Sequence, residues 1–333
     1  MAKSLHGTVR SRASRRHDAL DGTRHRLVSH LNDPAVSMEL FLQQMVNGLA
    51  SGAFYALFAT GFGLLFATMN ILNVAHGTFA TWSAISMWWF VSKWGLGIVP
   101  AVLLAVLVVG VLGVVVDLVV FDPLRRRSTR GFFGVLLASI GVWIVLLNLA
   151  LIATGASFKS MPVDSYSRNF YDIGPITVSN MQLLAIALAL GIGAVLYVFV
   201  HRTRYGAAVR AVGANAPSAG LAGVNSRVVM MSVSFIAAGV AAVAGVVSAL
   251  ATNSISFQLG EELLVKGFAA VVIGGWGDVR GPVIGGFLIG VLEVMTAQYI
   301  SNSFRDALSF GLLILFLLYR PTGILRPATV AKL

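Results

Sequence analysis

Among the side chains of this sequence that could take part in chemistry, His76 has the most unusual surroundings. It lies in Asn73-Val74-Ala75-His76-Gly77, within a run from Leu40 to Ser92 that contains no Asp, Glu, Lys or Arg. An imidazole can donate and accept hydrogen bonds, and it titrates near neutral pH. Next to a glycine in so apolar a run, it indicates a helix break that is shielded by protein or lines a water path. We interpret His76 as part of a structural break that also shapes a path for something polar.

Glu293 is the second candidate, because it lies inside an apolar run, Gly290-Val-Leu-Glu293-Val-Met. A carboxylate at membrane depth has to be paired, protonated or hydrated. A structural pair with a group on another helix is favoured over contact with a substrate. A proton relay is not expected, since only Glu293 and Asp117 could supply carboxylates at depth. The residues that we assign to a substrate path are Asn73, His76, Gly77, Thr78 and Glu293.

A glycine-rich segment follows Lys266 and predicts a second break. Glycine allows tight turns and close approach of helices, and the positions concerned are Gly274, Gly275, Gly277 and Gly281. The segment is not a phosphate loop, because no Gly-Lys-Ser/Thr follows a strand. Residues 73–82 loosely match residues 277–286, although only a basic residue followed by glycine is shared. An internal repeat and a chance match both remain open.

The loop 201–227 is basic and rich in small residues. We expect a short helix at Ala208–Val212 and a new helix that starts at Pro217, which suits a first turn. The loop is either a plain cytoplasmic connection or a docking surface for a cytoplasmic partner. The residues assigned to this surface are Arg204, Arg210, Gly213, Asn215, Gly220 and Gly223.

The composition excludes several classes of protein. The chain is 57% hydrophobic and 11% charged, whereas soluble domains carry about 25% charged residues. It has no cysteine, which excludes disulfides and thiolate metal sites. No catalytic triad, carboxylate pair, metal cluster or Walker motif stands out, so we predict neither an enzyme nor a cofactor. The net charge of +11 comes from basic residues clustered between apolar segments, which indicates contact with anionic lipid and not with nucleic acid.

These segments predict an all-α polytopic membrane protein with about eight to ten transmembrane helices and short or broken glycine-rich elements. Basic clusters near residues 125–130, 202–227 and 320–332 are expected in the cytoplasm, and the loop 157–179 outside. If residues 40–73 and the segment near 263–276 each supply an extra short span, there are ten spans and both termini are inside. If neither does, there are eight and both basic termini are outside. Charge favours ten.

The two ends of the chain differ from the rest. Residues 1–37 are basic and contain no apolar run, so they do not form a signal peptide. They are either a disordered cytoplasmic extension or lie upstream of a true start at Met38. The transmembrane domain is predicted at 38–326, followed by a cytoplasmic tail at 327–333.

From about Met38 onward the sequence resembles the permease family of branched-chain amino acid ABC importers. The motifs that carry the resemblance follow one another in the family's order: Asn47-Gly-Leu with Gly52-Ala-Phe-Tyr55, Ile71-Leu-Asn73-Val-Ala-His76-Gly77, Gly223-Val-Asn225 with Arg227, Gly274-Gly275 with Gly281, and Pro321-Thr-Gly-Ile-Leu325. The sequence departs from the family pattern at two places. Thr78 stands where a glutamate is common, and Gly213-Ala-Asn215 stands where acidic residues are common.

The resemblance implies a multi-pass permease subunit of the bacterial inner membrane, without ATPase activity. Its partners would be a second related permease, two cytoplasmic ATP-binding subunits and an extracytoplasmic substrate-binding protein. The loop 201–227 falls where such permeases touch the ATPase. The mechanism would be alternating access powered by the ATPase pair, which binds the ATP.

Three other functions would fit parts of this sequence. A permease for urea or short amides belongs to the same superfamily. An ion-driven secondary transporter would need more intramembrane carboxylates than Glu293 and Asp117. A membrane scaffold would explain the apolar runs but not the two glycine-rich breaks.

Overall fold

The structure, a computed structural model, describes residues 34–127, 131–162, 166–275, 277–320 and 322–325. The predicted tail 327–333 and most of the predicted extension 1–37 lie outside these ranges. The helices are α1 (Pro34–Met69), α2 (His76–Trp94), α3 (Ile98–Val116), α4 (Asp122–Arg127), α5 (Gly131–Thr154), α6 (Asn180–Arg202), α7 (Arg204–Ala214), α8 (Ala216–Leu221), α9 (Ser226–Thr252), α10 (Leu259–Gly274), α11 (Arg280–Tyr299) and α12 (Arg305–Tyr319). A π-helical turn at Asp117–Phe121 joins α3 to α4, and a 3₁₀ turn at Asn302–Phe304 precedes α12.

Seven spans among the described residues are long and apolar enough to cross a membrane. They are Met38–Met69, Ile98–Arg126, Phe133–Thr154, Asn180–Arg202, Ser226–Thr252, Arg280–Tyr299 and Asn302–Tyr319. Helices α2, of 19 residues, and α10, of 16, are not among them and are largely buried. The predicted all-α, multi-pass membrane architecture is confirmed.

The helices connect two chemically different ends. At one end, the strands β1 (Phe170–Ile173) and β2 (Ile176–Ser179) form an antiparallel hairpin, and Gln43 of α1 bonds to the backbone of Thr177 at 2.9 and 2.8 Å. We call this the hairpin end. The other, basic end holds α7, α8 and a set of arginines: Arg125, Arg126, Arg202, Arg204, Arg210, Arg227 and Arg320. The positive-inside rule assigns the basic end to the cytoplasm.

Helix α1 corrects the predicted span count. Residues 40–73 were expected to supply two spans, but Pro34–Met69 forms one continuous helix of 36 residues. Its first turns contact the hairpin end, and its last turn meets α7, where Gly213 lies against the carbonyl of Ala67. The chain therefore enters α1 at the hairpin end, whereas Leu325 lies at the basic end, bonded to Gly274. The expectation that both ends of the membrane domain lie in the cytoplasm is wrong.

The glycines of α1 serve packing, which explains why this helix does not break. A Cβ atom added to Gly290 of α11 would lie 2.2 Å from the backbone nitrogen of Gly52. Such close approach is typical of helix pairs in membranes, where small residues let backbones touch. Helices α1 and α9 are mostly buried, whereas α12 has few fully buried residues. The core of the bundle therefore lies around α1.

Two helices begin inside the bundle. Residues 253–258 run inward from the hairpin end, where Ile255 pairs with Lys159. Helix α10 then starts beside α2, and the Gly260 amide donates a 2.9 Å hydrogen bond to Thr81 Oγ1. From there α10 runs to the basic end. The internal starts of α2 and α10 place irregular backbone at depth, where neighbouring protein shields it.

Candidate functional site

The segment between α1 and α2 forms the break predicted around His76. Helix α1 ends at Met69, Asn70 adopts a positive φ of 53°, and α2 begins at His76. The freed backbone groups are bonded locally. The His76 amide donates to the carbonyl of Asn73 at 3.1 Å, and the Val74 amide donates to Ser139 Oγ at 3.2 Å. This bonding allows an irregular segment to lie inside the bundle.

The His76 ring is fully buried among aromatic side chains. The rings of Phe58, Phe62 and Phe79 have their centroids 5.1, 5.6 and 5.7 Å from that of the imidazole. Neither ring nitrogen has a hydrogen-bond partner among the described residues. His76 therefore fills space as an aromatic side chain does.

The other path residues near His76 are buried as well. A Cβ atom at Gly77 would lie 2.6 Å from the carbonyl oxygen of Gly260, so only glycine lets α2 and α10 meet there. Thr78 donates its hydroxyl to the carbonyl of Ala75 at 2.7 Å. Asn73 is 1% exposed. In this conformation the cluster holds two helix starts together and presents no open surface.

Glu293 lies in a different cluster, which contains charges of both signs. Its Oε1 atom accepts a hydrogen bond from Lys266 Nζ at 2.5 Å and another from Arg305 Nε. Lys266 Nζ also lies 3.3 Å from the hydroxyl of Tyr55 and 3.4 Å from Asp306 Oδ1. The side chains of Glu293 and Lys266 are 0% and 11% exposed. The carboxylate is thus paired in the interior, as is required of a charge at membrane depth.

Helix α1 places these two clusters side by side. Tyr55 contacts Lys266, and Phe58 contacts His76. Residues three apart lie on one face of a helix, so one face of α1 borders both the charged cluster and the His76 break. A movement of α1 would therefore affect both.

The second glycine-rich segment forms a tight turn at the basic end. Helix α10 ends at Gly274, and Gly275 and Gly277 have φ values of 111° and 93°, which favour glycine. A Cβ atom at Gly274 would lie 1.9 Å from the carbonyl oxygen of Gly281, so these two positions pack backbone on backbone.

The residues after this turn begin α11. Asp278 bonds the amide of Arg280 at 2.9 Å and pairs with its guanidinium at 2.7 Å. Partial burial opposes ionisation of Asp278, but the hydrogen bonds and positive charge of Arg280 hold the pKa of its carboxyl below the ordinary value. Arg280 and His76 are both first residues of helices, as the loose sequence match suggested. Their surroundings differ, because the Arg280 side chain is 57% exposed.

The loop 201–227 folds into α7 and α8, which confirms the predicted short helix and the restart near Pro217. Asn215 caps α8 by accepting a 2.9 Å hydrogen bond from the amide of Ser218. Helix α7 buries Gly206, Val209 and Val212 against the bundle. Arg204 and Arg210 are exposed, and Arg210 also bonds the carbonyl of Val200.

Helix α8 is mostly exposed, although Ala219 is buried. Gly220 and Gly223 have open space beside them, and Leu221 is 93% exposed. We call the exposed face of α7 and α8 the loop surface.

Sequence reasoning missed several members of the charged cluster. Glu293 was predicted as a paired carboxylate. Lys266 lies at the start of the glycine-rich segment and Tyr55 in a family motif, and neither was assigned to a charged cluster. Arg305 and Asp306 were not identified, although an arginine at the start of an apolar helix is a usable signal for a buried partner. Asp117, considered as a carboxylate at depth, lies at the basic end and pairs with Arg125 at 2.8 Å.

Comparison with known proteins gives one family. The sequence model of a protein family, described as the permease component of branched-chain amino acid transport systems, matches residues 44–317. BraD of Pseudomonas aeruginosa, a high-affinity branched-chain amino acid transport system permease protein, is 31% identical over 306 residues, covering 88% of this chain and 98% of BraD. LivH of Escherichia coli K12, which has the same description, is 31% identical over 311 residues, covering 88% and 97%. The ribose import permease RbsC of Bacillus subtilis is 26% identical over 195 residues, covering 56% and 59%. No solved structure matches the chain.

Proposed function

This chain belongs to the permease family of branched-chain amino acid transport systems, and we propose that it forms the membrane path of an ATP-driven importer of branched-chain amino acids. The extent of the family match carries the proposal, since residues 44–317 include nearly all of α1 through α12. The relatives named as branched-chain amino acid permeases are matched along almost their whole length. RbsC, which is named for ribose, is matched over little more than half of its own.

The chain works with other subunits. It pairs with a second, related permease, receives substrate from an extracytoplasmic binding protein, and is driven by two cytoplasmic ATP-binding subunits. ATP binds to those subunits, so the chain needs no cofactor and has no ATPase activity of its own. Anionic lipid contacts the arginines of the basic end.

The loop surface receives the motion of the ATPases. Leu221 lies on this surface and is 93% exposed, next to small residues that allow a partner to approach closely. Behind it, α7 contacts the last turn of α1 through Gly213 and Ala67. A displacement of α7 would therefore move α1, whose Tyr55 and Phe58 border the charged cluster and the His76 break. This gives a continuous physical route from ATP hydrolysis to the membrane interior.

In this scheme the break around His76 acts as a hinge, formed by Asn73, His76, Gly77 and Thr78. Their close packing on α10 is lost when the two helix starts separate and re-forms when the starts come together. The hinge is open in the first arrangement and closed in the second. Glu293 holds Lys266 and Arg305 beside it. The corresponding hinge at the basic end is formed by Gly274, Gly275, Gly277 and Gly281.

The substrate class is tested by uptake into vesicles that contain the chain and its partner subunits. We expect ATP-dependent accumulation of labelled leucine, and no accumulation of labelled urea or ribose. Uptake of urea in preference to leucine would refute the assignment to amino acids. Equal uptake of all three with or without ATP would refute the importer itself.

A further inference from the structure

A groove of about 450 Å³ runs along the charged cluster between α10 and α12. Its polar lining comprises Glu261, Glu262, Lys266, Asn302, Arg305, Asp306 and Ser309. The volume lies within the range of about 300–1,000 Å³ that is usual for small-molecule sites. We call it the α10–α12 groove.

The groove extends from the interior of the bundle to the hairpin-end start of α12, where Arg305 and Asp306 stand in the first turn of that helix. Lys266 is eight residues before the end of α10 at Gly274, which places it about 12 Å from the basic end at 1.5 Å per residue. Exposed charges on a spanning helix are costly in lipid and normally face water or protein. Asp306 is nevertheless 72% exposed, and Arg305 is 39% exposed. This face of the bundle therefore borders water or a partner subunit.

The groove offers charges of both signs within a few ångströms of each other. Arg305 donates its Nε–H to Glu293, and a guanidinium carries further N–H donors that suit a carboxylate. Asp306, 3.4 Å from Lys266 Nζ, and Glu262 are exposed carboxylates that suit an ammonium group. A ligand with both a carboxylate and an ammonium group fits this lining better than an ion of one sign.

Two further features indicate a ligand. The hydroxyl of Ser309 lines the groove, is 2% exposed as a residue, and has no hydrogen-bond partner among the described residues. Buried hydroxyls normally have a partner, so a polar group in the groove would complete its bonding. Beside these polar groups, Val265 and Phe310 line the groove with apolar side chains that are 38% and 47% exposed.

We infer that the α10–α12 groove binds an aliphatic α-amino acid during its passage. Arg305 holds the carboxylate, Asp306 and Glu262 hold the ammonium group, and Ser309 bonds one of these two charged ends. Val265 and Phe310 contact the aliphatic side chain. The inference rests on the proposed function and adds the residues that recognise the substrate within the permease.

Thiol labelling tests the groove without depending on transport. The chain has no cysteine, so Val265→Cys places a single thiol in it. We expect a small, membrane-impermeant maleimide to label this position in the assembled transporter, and leucine to slow the labelling several-fold. Isoamylamine and 4-methylpentanoate, which lack the carboxylate and the ammonium group respectively, should protect much less. Phe158→Cys, in a loop at the hairpin end where the side chain is 77% exposed, is the control and should label equally with and without leucine.

A second change identifies the ammonium contact. In the Val265→Cys background, Asp306→Asn should raise the leucine concentration for half-protection about tenfold, as expected for loss of one charge-assisted contact. Glu39→Gln, an exposed carboxylate at the hairpin end of α1, should leave it unchanged.

Three results would overturn the inference: no protection by leucine, equal protection by the two analogues, or equal effects of Asp306→Asn and Glu39→Gln. Wild-type uptake keeps the two proposals separate. Uptake without protection removes the groove alone, and protection without ATP-dependent uptake removes the proposed function alone.

Discussion

His76 illustrates how the surroundings of a residue decide its role. From the sequence it was a polar side chain in an apolar run, and a place in the substrate path was a reasonable inference. The structure surrounds its ring with Phe58, Phe62 and Phe79 and gives neither nitrogen a hydrogen-bond partner. Packing is then its main contribution in this conformation.

Replacement of His76 by an apolar side chain of similar volume tests this role. We predict that His76→Leu keeps or slightly raises the melting temperature, because it removes two unpaired buried nitrogens. His76→Ala should lower the unfolding free energy by about 3 kcal/mol or more, because it leaves a cavity among three rings. Melting curves of the purified protein in detergent measure both changes. A strong loss of stability in His76→Leu would show that the imidazole makes an essential polar contact.

Glu293 is fully buried and pairs with two cations, Lys266 and Arg305. We predict that Glu293→Gln lowers the unfolding free energy by about 3–5 kcal/mol, since removal of one partner leaves buried charge uncompensated. Asp278→Asn is the matched control, because it neutralises a carboxylate paired with the exposed Arg280. It should cost less than about 1 kcal/mol. Equal, small losses in both variants would mean that water already solvates the cluster.

At the scale of helices, α1 and α11 pack closely through glycine residues. The addition of one methyl group at this contact tests how much the close packing contributes to stability. We predict that Gly290→Ala lowers stability by about 1–3 kcal/mol, because its Cβ atom would overlap the backbone of Gly52. Gly311→Ala makes the same change in α12, where nothing lies within 4 Å. It should be neutral, or stabilising by up to about 1 kcal/mol. If the two variants melt together, the close approach of α1 and α11 does not contribute as described.

The sequence predicted most of the helices but not the continuity of α1, and it located only part of the charged cluster. Apolar runs and basic clusters located the spans and the basic end, and Gly274–Gly281 located a turn. The same reasoning divided α1 wrongly, because two spans were favoured in order to place the basic N-terminal residues in the cytoplasm, whereas Pro34–Met69 is one helix. The charged cluster was only partly predictable, since Lys266, Glu293 and Arg305 meet through helix packing that no local pattern encodes.

Helix α8 presents the side chain best suited to partner docking. We predict that Leu221→Asp sharply reduces co-purification of the ATP-binding subunits and leaves the melting temperature of the isolated chain unchanged, because Leu221 has little contact with the bundle. Phe158→Asp introduces the same charge at an exposed position of the hairpin end and should leave co-purification intact. Normal co-purification of the Leu221→Asp variant would place the ATPase contact elsewhere.

At the scale of the whole molecule, the chain is a passive path whose energy comes from partner subunits. One buried carboxylate supports this view: Glu293 is held by Lys266 and Arg305 and is poorly placed to carry protons. An ion-driven carrier would need a carboxylate that gains and loses its charge during transport. The two mechanisms therefore differ in what stops uptake.

Uptake of labelled leucine into vesicles, with ATP held constant and an uncoupler added, separates the two. We predict that the complete transporter continues to accumulate leucine in the presence of the uncoupler and stops when ATP is withdrawn. Accumulation that collapses with the uncoupler and persists without ATP would contradict the assignment of this chain as an ATP-driven permease subunit.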